Sequence, residues 1–169
     1  MKEKENVREI DNLAHELIYR RYLMNQDQRQ KLFAKLGMPE YIALHMIAAA
    51  GEVSEIYSGR TYLKELADKL QLTIRQTAKM TGALRDRGLV SWSHDGDGSE
   101  GTYVTITELG QELLNEQEGI LRAYYSRVIR KYGKENLILL LQLMKQLETV
   151  MSSEMEGEED TDGYDEAGE

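Results

Sequence analysis

Arg75, Gln76 and Lys79 lie within five residues of one another, directly after Thr73. These are side chains that read nucleic acid: Arg bonds guanine bidentately, Gln does the same with adenine, and a Lys one turn further on meets a phosphate. Thr73 and Gln76 also fit a capping box. In that arrangement the Thr hydroxyl accepts from the N–H of Gln76, while the Gln side chain reaches back to the N–H of Thr73. The pattern predicts a helix that starts at Ile74 and shows Arg75 and Gln76 at its exposed N-terminal end. By charge alone these residues would be an ordinary solvated face, so the surrounding elements have to decide.

Those elements are legible. Tyr62 to Leu70 (YLKELADKL) reads as a short helix with Leu63, Leu66, Ala67 and Leu70 on one side, and Leu70-Gln71-Leu72 is a tight turn into the capped helix. The capped helix runs to about Arg87, turns Thr77, Met80, Thr81 and Leu84 inward, and is closed by Gly88. Two β-rich runs, Leu89–Ser93 and Thr102–Ile106, flank a Gly- and Asp-rich turn and predict a hairpin. Two helices, a tight turn and a hairpin make a winged helix-turn-helix, whose second helix fits the major groove.

On either side the chain is helical. Val7, Ile10, Leu13, Ala14, Leu17, Ile18 and Tyr22 recur at spacings of three and four and predict a helix from about Val7 to Lys35. Pro39 suits the first turn of a second helix, where its missing N–H costs nothing, and the apolar segment Glu40–Ala50 reads as central. Helix resumes at Thr107 and runs to Gly133. A last helix, from Lys134 to about Ser152, has ten apolar residues among the fifteen from Leu137 to Met151, which predicts burial on two sides. With the stripe of the first helix, that surface exceeds what one small domain can cover, so an obligate dimer is expected.

Other chemistry finds little support. Cysteine is absent, which excludes disulfides, thiolate zinc sites and iron–sulfur clusters. His15, His45 and His94 are scattered, and His45, within an apolar helix, reads as a core residue. Asp95, Asp97 and Ser99 imitate a calcium-ligand spacing, but Glu100 and Ile106 stand where an EF-hand needs Gly and Glu. No phosphate-cradling Gly loop, nucleophile elbow or paired-His motif is present, so neither enzyme nor cofactor is expected. Tyr124, Tyr125 and Met144 read as core or dimer packing, and they are also residue types that line a pocket for a small aromatic effector.

The formal charge of -9 is unevenly placed. Glu154–Glu169 holds nine of the 30 acidic residues and none of the 21 basic ones, which leaves 21 of each in residues 1–153. This acidic, Gly-containing run cannot bury enough apolar surface to order itself and is expected to be a disordered tail. The charged start, Met1–Glu5, has no apolar stretch of secretory type, and the apolar run Leu137–Leu141 is far too short to span a bilayer. A cytoplasmic protein is expected.

The ordered pieces Tyr62–Leu70, Gly88-Leu89-Val90 and Val104-Thr105-Ile106-Thr107-Glu108-Leu109-Gly110 make the chain resemble the MarR family of bacterial transcriptional regulators over about Val7 to Met151. The resemblance implies a mainly α fold with a small β-hairpin wing. It implies a winged-helix domain over residues 1–153, with the helix-turn-helix at about 62–88, the wing at about 89–107 and dimerisation helices at about 7–35 and 108–152. It further implies a homodimer on a pseudo-palindromic operator, acting as a ligand-responsive repressor, with double-stranded DNA and a small aromatic effector as partners. Family wings carry an arginine that enters the minor groove. Here Asp95–Gly101 has three acids and no base, so binding should lean on Thr73, Arg75, Gln76 and Lys79, with Arg60 and His94 near the wing. The alternative is a winged-helix protein-interaction module that has lost DNA binding, suggested by the acidic wing and tail.

Overall fold

A computed structural model describes residues 2–51, 60–95 and 101–159. The elements are α1 (Lys2–Lys31), α2 (Met38–Gly51), β1 (Thr61–Tyr62), α3 (Leu63–Leu70), α4 (Ile74–Asp86), β2 (Val90–His94), β3 (Thr102–Ile106), α5 (Glu108–Tyr132) and α6 (Lys134–Glu159). The chain divides into two compact units, Met1–Leu121 and Arg122–Glu169. The first is mainly helical with a small three-stranded sheet, a winged helix-turn-helix.

Its core grows around α2, whose Ala43, Leu44, Ile47 and Ala48 are buried at helical spacing. Leu63 and Leu66 of α3, Leu84 of α4, Val104 of β3 and Leu114 of α5 close on them. The sheet is antiparallel in the order β1-β3-β2, with Trp92 opposite Val104 and Thr61 opposite the same residue on the other side. Alternation along the strands places Val90, Val104 and Thr61 on the core side and Ser91, Ser93 and Tyr103 on the outer side.

Several expectations are corrected. α1 ends at Lys31, not Lys35, because Leu32 and Leu36 turn inward through a bend; their i, i+4 spacing imitates a continuing helix. Gln117 of α5 donates to the Leu32 carbonyl and holds this corner. Tyr62 is not the start of a helix but a strand residue, paired with Tyr103. His45 is exposed, not core, because α2 buries its other side and leaves His45 to meet Glu118 of α5.

The second unit holds the end of α5 and α6. Gly133, at φ +98, breaks the chain between them, a conformation that glycine adopts without steric cost. α6 continues through Glu159, so the expected tail is helical over its first six residues, where Glu and Met favour helix. The rest of that run lies outside the described residues. Burial on two sides of α6 is not what one chain provides: Leu139, Leu143, Leu147 and Val150 are among its exposed apolar side chains. Among the described residues no helix is long and apolar enough to cross a membrane.

Candidate nucleic-acid interface

The geometry begins where α3 ends. Gln71 takes a left-handed conformation, φ 53, and the N–H of Leu72 donates to the Ala67 carbonyl at 3.0 Å. This turn delivers Thr73 as the N-cap of α4. Gln76 N–H donates to Thr73 Oγ1 at 3.1 Å, and Thr73 N–H donates to Gln76 Oε1 at 2.9 Å, so the capping box is complete. The two bonds satisfy donors that a helix start would otherwise leave unpaired.

The inward face of α4 is partly threonine. Thr77 and Thr81 are fully buried, and each hydroxyl donates to the carbonyl four residues earlier, to Thr73 at 3.0 Å and to Thr77 at 2.8 Å. Small polar side chains thereby sit in the core without an unpaired group. The opposite face exposes Arg75, Gln76 and Lys79. Among the described residues Arg75 and Lys79 make no hydrogen bond or ion pair. They flank a helix N-terminus whose partial positive charge favours anions. Gln76 is constrained, since its Oε1 already holds Thr73. The Thr73 hydroxyl accepts in the cap and keeps its hydrogen to donate.

The basic residues at the other end of α4 have different fates. The Arg85 guanidinium stacks over the Trp92 ring at 4.5 Å and approaches Asp86 at 3.4 Å. Arg87 donates to the Lys35 carbonyl at 2.7 Å and lies 3.7 Å from Glu40, which ties the end of α4 to the corner after α1. Lys35 itself pairs with Glu116 of α5 at 2.5 Å.

The junction between α4, the wing and α5 explains why the sequence repeats glycine there. Gly88 has φ +76, and its carbonyl accepts from the Thr107 hydroxyl at 2.6 Å. The same hydroxyl accepts from Gly110 N–H at 3.0 Å and caps α5. A Cβ on Gly110 would collide with the Leu89 carbonyl oxygen. The motif pieces Gly88-Leu89-Val90 and Thr107-Glu108-Leu109-Gly110 are thus one packed joint.

On the outer face of the sheet, Arg60 and Tyr62 both reach Asp95. Arg60 Nη1 donates to Asp95 Oδ2 at 2.5 Å and the Tyr62 hydroxyl donates to the same oxygen at 2.6 Å. Arg60 also stacks on Tyr103 at 4.7 Å, and the Tyr62 and Tyr103 rings are 5.8 Å apart. The Tyr62 hydrogen bond, with Arg60 beside it, holds the Asp95 carboxyl below its ordinary range. Asp95 raises Tyr62 in turn. The sequence counted Asp95 as wing acidity, yet its charge is answered by Arg60. Spacing of two was the available signal: Arg60, just before β1, stands two residues from Tyr62, and Asp95, just after β2, stands two residues from Ser93. His94 is exposed at the end of β2. Asp97, Ser99 and the rest of the wing tip lie outside the described residues. Among the described residues no group of three or more His, Asp or Glu could hold a metal ion.

Two aromatic groups stand apart from this face. In the first unit Tyr41 lies 5.9 Å from Phe33 and stacks on His45 at 6.1 Å, and His45 Nδ1 donates to Glu118 at 3.1 Å. Burial, and then the Glu118 charge, raise the Tyr41 hydroxyl pKa. The sequence did not single out this cluster. In the second unit Tyr124 and Tyr125 meet edge to face at 5.1 Å, and Met144 is exposed.

No protein-family model and no curated relative matches the chain. Its structure is similar to that of the transcriptional repressor CouR bound to a 23-mer DNA duplex, with TM-score 0.68 and 18% identity over 82% of this chain and 94% of that one. It is also similar to BpsR from Bordetella bronchiseptica, whose DNA binding is regulated by 6-hydroxynicotinic acid, with TM-score 0.64 and 16% identity over 79% and 91%. A MarR family regulator from Neisseria meningitidis, NMB1585, has TM-score 0.57 and 15% identity over 89% and 98%. The chain has the winged-helix fold of these MarR-type regulators.

Proposed function

We propose that this winged-helix chain is a homodimeric, sequence-specific DNA-binding transcriptional regulator, a ligand-responsive repressor without enzymatic activity. One observation carries the reading. The capped start of α4 exposes Arg75 and Lys79, which have no hydrogen-bond or ion-pair partner among the described residues, on a fold that CouR carries while bound to a DNA duplex. In this reading Arg75 takes a guanine and Lys79 a phosphate. The Thr73 hydroxyl donates to the backbone, and Gln76 offers its amide nitrogen while its oxygen stays in the cap. Arg60, set against Asp95, and His94 support the duplex from the wing.

The dimer follows from apolar surface that one chain leaves in water. Val7, Ile10 and Leu13 of α1 and Leu139, Leu143 and Leu147 of α6 are all exposed. Patches of this kind mark contact surfaces, and a second copy of the chain is the partner that covers both. The effector reading rests on neighbours of the same fold, BpsR with 6-hydroxynicotinic acid and NadR with 4-hydroxyphenylacetate. A small aromatic acid is accordingly the proposed ligand class.

The test is selection of bound sequences from random duplex DNA by the full chain, followed by titration at several salt concentrations. An enriched inverted repeat whose binding weakens as salt rises supports the proposal. No enrichment, with no binding at low salt, overturns it and leaves the interaction-module reading.

A further inference from the structure

Over residues 60–106, among the described residues, one large apolar side chain is more than a third exposed. It is Ile74, at 50%. Every other large apolar residue of the helix-turn-helix and wing is buried or half-buried. Ile74 is not loosely placed, because it is the first residue of α4, directly after the N-cap, and the capping box fixes the backbone on both sides. Local preference does not account for it either, since a β-branched residue gives a helix start no advantage over Ala, Glu or Lys. An apolar group is held in water at the tip of a helix, between Thr73 and Arg75.

A partner of matching chemistry is available. In the major groove, base edges offer hydrogen-bond donors and acceptors and one apolar group, the 5-methyl of thymine. Arg75 and Lys79 supply the positive charge that brings this end of the helix to a phosphate backbone. We infer that Ile74 is a specificity-determining residue that packs on a thymine 5-methyl in each half-site, beside the base read by Arg75. This rests on the proposed DNA-binding function and adds to it a requirement on sequence: the operator carries thymine at that position for its methyl group and not only for its pairing.

The experiment uses the full chain and the duplex obtained by selection. Each thymine is replaced in turn by deoxyuridine, which pairs identically and lacks only the methyl. For the wild-type protein, one replacement per half-site should weaken binding by about fourfold, the worth of one methyl group kept from water. Ile74→Ala should bind the thymine duplex more weakly and show no further loss with uracil at that position. Arg75→Ala should keep the uracil penalty. The DNA change leaves the protein untouched, so no folding defect can imitate the result. The inference is overturned if no thymine is methyl-sensitive, or if Ile74→Ala retains the full uracil penalty. If the protein selects no DNA at all, the regulator reading fails first, and that outcome is distinct from methyl-insensitive binding.

Discussion

α4 and the residue after it carry four basic side chains, and the structure separates those left unpaired among the described residues from those already engaged. Lys79 is exposed and unpaired among the described residues, whereas Arg87 spends its guanidinium on the Lys35 carbonyl and Glu40. Substituting each by alanine should have opposite signatures. Each phosphate contact contributes about 0.9 to the slope of log affinity against log salt. On a dimer Lys79→Ala removes two, so the slope should flatten by about 1.8, and the fall in affinity between 50 and 200 mM salt should shrink by roughly 12-fold. Arg87→Ala should leave the slope unchanged. A hydrogen bond from a charged donor is worth about 1.5–3 kcal/mol when shielded. With the Arg87 side chain 43% exposed, we discount this to about 1 kcal/mol. Stability should fall by that amount, which for a chain of this size is a melting-temperature loss of about 2–4 °C. Fluorescence anisotropy across a salt series, with thermal melts beside it, measures both. A flattened slope for Arg87→Ala, with no change in melting temperature, would refute the assignment.

Two glycines should respond oppositely to alanine. At Gly82 a Cβ would, among the described residues, meet only Trp92, at 3.9 Å, so Gly82→Ala should stabilise by about 1 kcal/mol. At Gly110 the Cβ would overlap the Leu89 carbonyl, and Gly110→Ala should cost about 2–3 kcal/mol; denaturant titration decides between the two signs. The Asp95 carboxyl should titrate below its ordinary value of 3.8. Its contribution to stability is then complete above that value and lost as the pH falls through the lower folded one, so the wing latch should not vary between pH 5 and 8. Carboxyl titration by NMR with a midpoint above 3.8 would contradict this. Asp95→Asn should raise non-specific DNA affinity by about twofold per subunit at low salt, the worth of one unit charge at ~10 Å in water, and the gain should vanish at high salt. Leu143, 53% exposed in the single chain, should be covered in the dimer. Leu143→Glu should therefore give a monomeric mass by light scattering, and an unchanged dimer would place the interface elsewhere.

Local rules explain what the sequence revealed. The capping box, the left-handed glycine after α4 and the alternating hairpin strands each depend on residues a few positions apart, and all three appear as read. The features that escaped depend on partners far along the chain. β1 is two residues long and exists because β3 pairs with it. The bend at Leu32–Leu36 keeps a helical spacing, and distant residues reveal it as a corner: Arg87, Glu116 and Gln117, the last 85 residues away. α2 is apolar on most faces, so no periodicity could say that His45 points outward to Glu118.

Charge shows the same division between composition and placement. A formal charge of -9 and an acidic wing both argue against a polyanion partner. Yet the acidic excess belongs to Glu154–Glu169, and residues 1–153 are balanced, so the sign at any surface depends on which charges are already paired. At the wing base Asp95 is answered by Arg60, and at the end of α4 Arg87 is answered by Glu40. Arg75 and Lys79 are left at the start of α4, with the helix dipole adding to them. Because screening limits each exposed charge to a reach of about 8–10 Å, this local surplus governs contact with a phosphate more than the total does. The residues that make the fold are therefore also the ones that decide which basic side chains remain unpaired among the described residues.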